Sequence, residues 1–254
     1  MTDRVAPDTL PLTPQNEQGG RWRRWHLTSR DAVVALIVAA LTVTAQTVID
    51  DRREDKADRR ENLRFLREQA ASDNIKQVQM INIDLSGQNL AGLRVSGAVM
   101  PGANLKKSDL SFSMISNSDL SKADMEGADL SRTALVDSTL EDSNLRRANL
   151  SNAQLMNVAV SGVDFTGASL ESALIHEPQH RTRDLYFTNF TAADMRFADL
   201  SEVEFHGVSF YGADLRGAKL SIQPDDVICY GPTTRWSEGF QPPPSAAPDD
   251  CRPE

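Results

Sequence analysis

The chain is poor in aromatic residues and nearly free of cysteine. Three Trp, three Tyr and nine Phe make up 6% of its 254 residues, so a core must be assembled from aliphatic and small side chains rather than large rings. Two Cys exclude a disulfide-rich mini-scaffold and any four-thiolate zinc or iron–sulfur site. Positive charge is not in excess either. A net charge of -9 argues against a chain drawn as a whole to nucleic acid or anionic lipid. Residues 1–74 are balanced, with 12 acids and 12 bases, whereas residues 75–222 carry 18 acids and 13 bases and residues 223–254 carry 6 and 2. No phosphate-binding glycine loop, paired-carboxylate cleft or nucleophile–histidine–acid arrangement is present. The sequence therefore points to no enzyme, cofactor or metal site.

Ala32 to Ile49 form an uncharged, mostly apolar run of eighteen residues. As a helix at about 1.5 Å per residue it spans about 27 Å, enough for a hydrocarbon core. Arg21, Arg23, Arg24 and Arg30 precede it, with Trp22 and Trp25 as interfacial anchors. We read residues 1–31 as a basic, unstructured N-terminus and 32–49 as a single transmembrane helix. Two alternatives stand beside this: a signal-peptidase site at Val43-Thr44-Ala45, against which the long basic lead argues, and a buried Ala/Val helix without partner helices. Orientation is nearly balanced. Arg4, Arg21, Arg23, Arg24 and Arg30 before the run face Arg52, Arg53, Lys56, Arg59, Arg60, Arg64 and Arg67 after it, so the count weakly favours a cytoplasmic C-terminal side.

Residues 50–74 contain no Gly or Pro and are rich in helix formers, with i,i+4 pairs such as Arg64 and Glu68. They read as a solvated helical stalk. Only Leu63, Phe65, Leu66 and Ala70 can bury much, and charged heptad positions argue against a long coiled coil.

The strongest pattern begins at residue 83. Every fifth residue from Leu85 to Leu220 is large and apolar, with His180 the one failure in 28 positions. Two residues before each stands Ala, Ser, Thr or Val in 23 of the 28 units, and Asp or Asn stands between them in most. A period of five fits neither the 3.6 of a helix nor the 2 of a strand. The chain must turn a corner every five residues, giving a square coil of twenty residues with the large and small positions inside. Counting by twenty from the start predicts the stacks Leu145-Phe165-Leu185-Phe205 and Leu150-Leu170-Phe190-Phe210, and a fourth stack interrupted by His180. Seven coils at about 4.8 Å make a rod of about 34 Å.

Units such as ADLSR (128–132), ANLSN (148–152) and ADLRG (213–217) resemble the pentapeptide repeat family. The resemblance implies an all-β solenoid, a right-handed quadrilateral β-helix, over residues 75–222. The segment YGPTTRWSEGF (230–240) also resembles an ending that often follows such arrays, with Ser237 in place of the usual Pro. A solenoid sealed by its own side chains works through its outer faces, loops and ends. The stalk is expected to cover one end through Leu63, Phe65 and Leu66, and the tail 223–254 the other. Some relatives mimic DNA and bind gyrase, a type II topoisomerase; that requires a strongly negative rod, and this one is only mildly so.

His176-Glu177-Pro178-Gln179-His180 spells the HExxH string of zinc proteases, which needs an unbroken helix. Pro178 interrupts that helix, so residues 176–184 read as a loop bulging from the rod. With Tyr186, Phe187, Phe197, His206 and Tyr211 at outward positions nearby, His176 and His180 complete a candidate protein-binding patch. Cys229 and Cys251 lie in the Pro-rich tail, exposed in character; outside the cytoplasm they would pair, and inside they would stay thiols. The reading as a whole is a single-pass bacterial membrane protein presenting a non-enzymatic scaffold to a protein partner, with the partner, the oligomeric state and the side of the membrane open.

Overall fold

The computed structural model describes residues 55–68, 79–176 and 184–251. The chain divides into two compact units, Met1–Asp51 and Arg52–Glu254, and the described residues all belong to the second. The expected N-terminus 1–31 and spanning helix 32–49 lie outside them. Among the described residues no helix is long and apolar enough to cross a membrane.

Among the described residues ten short strands follow a helix at 55–68: β1 (Arg94–Ser96), β2 (Met114–Ser116), β3 (Ala134–Thr139), β4 (Gln154–Ala159), β5 (Leu174–His176), β6 (Asp184–Tyr186), β7 (Asp199–Leu200), β8 (Glu204–Ser209), β9 (Lys219–Leu220) and β10 (Val227–Cys229). All pairings are parallel. One face of the solenoid is a seven-stranded sheet in the order β1-β2-β3-β4-β5-β7-β9, and another is a three-stranded sheet in the order β10-β8-β6. The remaining two faces are held by single bridges such as Asp84↔Asn104 and Asn89↔Asp109.

The five-residue unit explains itself at each corner. At Leu120–Ala123 the Ala123 N–H donates to the Leu120 carbonyl at 3.1 Å, closing a turn whose third residue, Lys122, has φ 57. That N–H of Lys122 donates onward to Glu141 O of the next coil at 2.8 Å. The left-handed corner is therefore a hydrogen-bonding requirement of the stack, met even by Lys, Arg and Phe, which adopt it at a cost of about 1 kcal/mol. The Asp or Asn before the large residue bonds the next corner: Asp109 accepts from Ser111 N at 3.0 Å and Asp129 from Ser131 N at 2.9 Å. Along the rod these side chains also join one another, with Asn144 donating to Asp124 at 3.0 Å and Asn149 to Asp129 at 3.1 Å.

Inside, the large column residues are sealed from solvent, from Leu85 through Phe210 and Leu215. Each contributes about 1.5–3 kcal/mol by leaving water. The predicted stacks require correction beyond Ile175. Before the loop the register is twenty, as in Leu135↔Leu155, but across it Asp164 pairs with Asn189 and Leu174 with Asp199, a step of twenty-five. The loop is an extra unit inserted into one coil rather than one side of the square. Phe165 consequently stacks on Phe190 at 5.0 Å, and Phe190 on Phe210 at 5.5 Å. With the step of twenty-five, the described members of all four columns are apolar.

Both ends are covered. The helix at 55–68 lies against the first coil, so the expected solvated stalk is in part a cap: Leu66 is 1% exposed and Leu63 is partly buried against the core, while Phe65 faces outward. Its polar side chains occupy groups that the first coil leaves without a preceding strand. Asn62 donates to Asp84 O at 3.0 Å, Arg67 to Asn89 O at 2.9 Å, and Arg59 to Ser86 Oγ at 3.1 Å. At the other end Trp236 packs on Phe210, Tyr230 and Phe240 at 6.2, 5.2 and 5.3 Å. Ser237 accepts from Gly217 N at 2.9 Å through its hydroxyl, an acceptor that Pro at this position would lack.

Candidate functional site

Quarter-turn geometry decides which exposed residues meet. Residues five apart occupy successive corners, ten apart opposite corners, and twenty apart the same corner one coil on. Tyr186, Phe187 and His206 share one corner, where the Tyr186 and His206 rings stack at 4.8 Å in the paired strands β6 and β8. Phe187 continues the surface over Gly207, whose hydrogen faces the ring: a Cβ there would lie 2.8 Å from Phe187 Cδ1 and 2.8 Å from Asp250 O. Glu204 Oε2 stands 3.9 Å from His206 Nε2.

The other candidates stand elsewhere. Tyr211 is on the next corner, beside Gly231; Phe197 is on the corner opposite Phe187 and lies over Gly217; His176 ends β5 on the seven-stranded face. The six described candidates are thus not one surface, because the outward positions near 186, 197 and 211 fall on three different corners. His176 is paired in a strand opposite Met156, so the helix that the HExxH string requires is not formed at its first residue. His180 and most of loop 176–184 lie outside the described residues.

The tail supplies what sequence reasoning missed at this corner. Cys229 and Cys251 form a disulfide with Cα atoms 6.1 Å apart, and both are buried, contrary to the exposed character expected of a Pro-rich tail. Cys229 belongs to β10, the outermost strand of its sheet, and Ala246 N donates to Ile228 O at 2.9 Å across that edge. The disulfide therefore clamps the returning tail over a strand edge and holds Asp250 next to Gly207 and Phe187. Cysteine pairing itself was the available signal; its burial depended on the tail folding back.

Electrostatically the outer faces are acidic and are neutralised in part by bases of the rod itself. Lys106 reaches Asp124 at 2.9 Å, Arg146 reaches Asp164 at 3.0 Å, and Lys219 reaches Asp199 at 2.8 Å. Arg196 and Arg216 close on Asp194 and Asp214 at 2.8 and 2.6 Å. Hydrogen bonds from Arg196, Lys219 and Arg216 hold the carboxyls of Asp194, Asp199 and Asp214 below the usual range. Among the described residues no cluster of His, Cys, Asp or Glu has metal-holding geometry.

Pentapeptide repeats match the chain in eight copies, over residues 79–111, 96–132, 134–171 and 184–221, more than half of its length. The chain belongs to the pentapeptide repeat family. Solved pentapeptide repeat structures cover the same region. QnrB1, a plasmid-mediated fluoroquinolone resistance protein, is 18% identical over 58% of this chain and 83% of its own, with a TM-score of 0.43. HetL, involved in heterocyst differentiation regulation in the cyanobacterium Nostoc, is 23% identical over 62% of this chain and 90% of its own, with a TM-score of 0.32. A pentapeptide repeat protein of the Arabidopsis thaliana thylakoid lumen is 26% identical over 44% of this chain and 67% of its own, with a TM-score of 0.28. No curated protein matches the chain. As a pentapeptide repeat protein it has a solenoid interior filled with side chains, and its chemistry is that of an outer surface.

Proposed function

We propose that this pentapeptide repeat protein is a non-enzymatic scaffold, anchored in the bacterial membrane by residues 32–49. It offers the Tyr186, Phe187 and His206 corner, with the adjoining loop, to a protein partner on the oxidising side. The observation that carries the reading is the Cys229–Cys251 disulfide, which braces the cap beside that corner. Reducing compartments keep such pairs as thiols, whereas the periplasm and cell exterior maintain them. The Lys and Arg count around residues 32–49 is too evenly divided to outweigh it.

The DNA-mimic alternative needs an uncompensated negative surface. Five of the rod's outward Asp residues are engaged by Lys or Arg of the rod itself, which favours the scaffold.

Glu202 is exposed and gives a reporter position for the side of the membrane. A Glu202→Cys chain is expected to react with a membrane-impermeant maleimide in intact cells, and acid-quenched, denatured cells are expected to yield Cys229 and Cys251 blocked until reduced. Reaction only after lysis, with free native thiols, overturns the placement and makes gyrase inhibition the next assay. A photo-crosslinking residue at Tyr186 should capture a protein that the same residue at Lys122 does not.

A further inference from the structure

The four faces of the rod differ in a way that the five-residue repeat hides. On the two bridge-held faces the outward column is mostly Asp and Asn, as in Asp84-Asn104-Asp124-Asn144-Asp164. On the seven-stranded face the same position reads Arg94, Met114, Ala134, Gln154, Leu174, Asp199 and Lys219 down the register. Met114 is 49% exposed, and Phe112 on the adjoining corner is 60% exposed. A second outward column on this face carries Ser116, Val136, Met156 and His176. The middle of the sheet thus presents Met114, Val136, Met156 and Leu174 around the polar Gln154 and Ser116, with Arg94 at one end and the Asp199 carboxylate near the other.

We propose that this face binds a second copy of the chain, with the two rods antiparallel and the two-fold axis passing between β3 and β4. An axis in the plane of the interface and perpendicular to the rods lays each column on itself in reverse. Ala134 then meets the partner's Gln154, Met114 meets the partner's Leu174, and Arg94 meets the partner's Asp199. In the second column Val136 meets Met156 and Ser116 meets His176. Charge complementarity selects this register. The Arg94 side chain makes no hydrogen bond or ion pair among the described residues, and Asp199 holds only one cation, Lys219. Shifting the axis by half a coil toward the C-terminus places Arg94 on Lys219, and a parallel arrangement exchanges the two columns and sets Arg94 against the uncharged Ser96 position. Sheets packed face to face at about 10 Å with side chains interleaved suit this contact. Six strands at about 4.8 Å bury roughly 1,000 Å² in total, at the low end for specific interfaces, so a micromolar dimer is expected. The proposal concerns a face other than the Tyr186 corner and does not depend on the membrane reading.

Cross-linking the detergent-purified full chain tests it. Met114 and Leu174 of one chain are three coils apart, about 14 Å, so a Met114→Cys chain and a Leu174→Cys chain should each fail to link to themselves. Mixed and oxidised, the two should form a disulfide-linked dimer, the native pair being already closed. Arg94→Asp should weaken the dimer at least tenfold in sedimentation, and adding Asp199→Arg should recover most of that loss. A chain that stays monomeric to high micromolar concentration overturns the proposal, as does a Met114→Cys chain that links to itself. Dimerisation unaffected by Arg94→Asp and without the mixed cross-link places the contact elsewhere and also overturns it.

Discussion

Phe190 stacks on Phe165 with ring centroids 5.0 Å apart and planes within 6°, although twenty-five residues separate them where the rest of the rod uses twenty. The difference is the loop, which adds one unit without moving the stack. Deleting residues 177–181 should therefore restore a regular coil. We expect the circular dichroism spectrum to be retained and the melting temperature to stay within a few degrees. Phe190→Ala should in contrast cost about 3–5 kcal/mol, because the ring is fully buried between two others. Urea titration distinguishes the two outcomes.

Left-handed corners carry a local cost that glycine relieves. Lys122 is exposed with φ 57, and Lys122→Gly should stabilise the rod by about 0.5–1 kcal/mol in chemical denaturation, the strain removed exceeding the added unfolded-state entropy. The reverse holds at Gly217, with φ +75, where an added Cβ would sit 2.5 Å from Phe197 Cδ1. Gly217→Ala should destabilise by about 1–3 kcal/mol, and Phe197→Ala in the same chain should recover part of it. A double-mutant cycle without coupling would contradict the contact.

The disulfide closes a loop of 22 residues. A Cys229→Ser, Cys251→Ser chain should lose about 3 kcal/mol of stability in chemical denaturation, chiefly by freeing the cap. Hydrogen exchange should then accelerate at Ile228 and Ala246, whose pairing the bond secures, and leave coils near Leu120 unchanged.

Acid should loosen the C-terminal half. The carboxyls of Asp194, Asp199 and Asp214 are held low by Arg196, Lys219 and Arg216. Groups depressed on folding contribute stability that is complete above their unfolded value, about 3.9, and is lost as pH falls toward the folded one. Melting temperatures should be flat from pH 7 to about 5 and fall below about pH 4. Because these side chains are part exposed, Asp199→Asn should reduce that fall only slightly, and added salt should shrink the effect.

Much of this was legible in order of residues. The five-residue period exposed the corners, the sealed columns and the solenoid, since each corner needs one small and one large side chain inward whatever its neighbours do. The capping role of Leu66 and the closing Trp236 could be anticipated from apolar residues at the array's ends. The candidate corner was legible only in part: Tyr186 and His206 are twenty residues apart and stack, but Phe197 and Tyr211 look adjacent in sequence while facing other directions.

The sequence by itself determined the repeat and the identity of the side chains available to each face, because local hydrogen bonding at a corner depends on five residues and no more. Only the tertiary structure decided register. Whether loop 176–184 replaced a side or added one depended on which stack of rings packed, Phe165 on Leu185 or Phe165 on Phe190, and that comparison is made between coils. The same step determines which columns align on the seven-stranded face, bringing Asp199 under Leu174, and how the tail returns to bury Cys229 against Cys251. Contacts between residues far apart in the chain settle such choices, because the burial they gain exceeds any local preference along the strand.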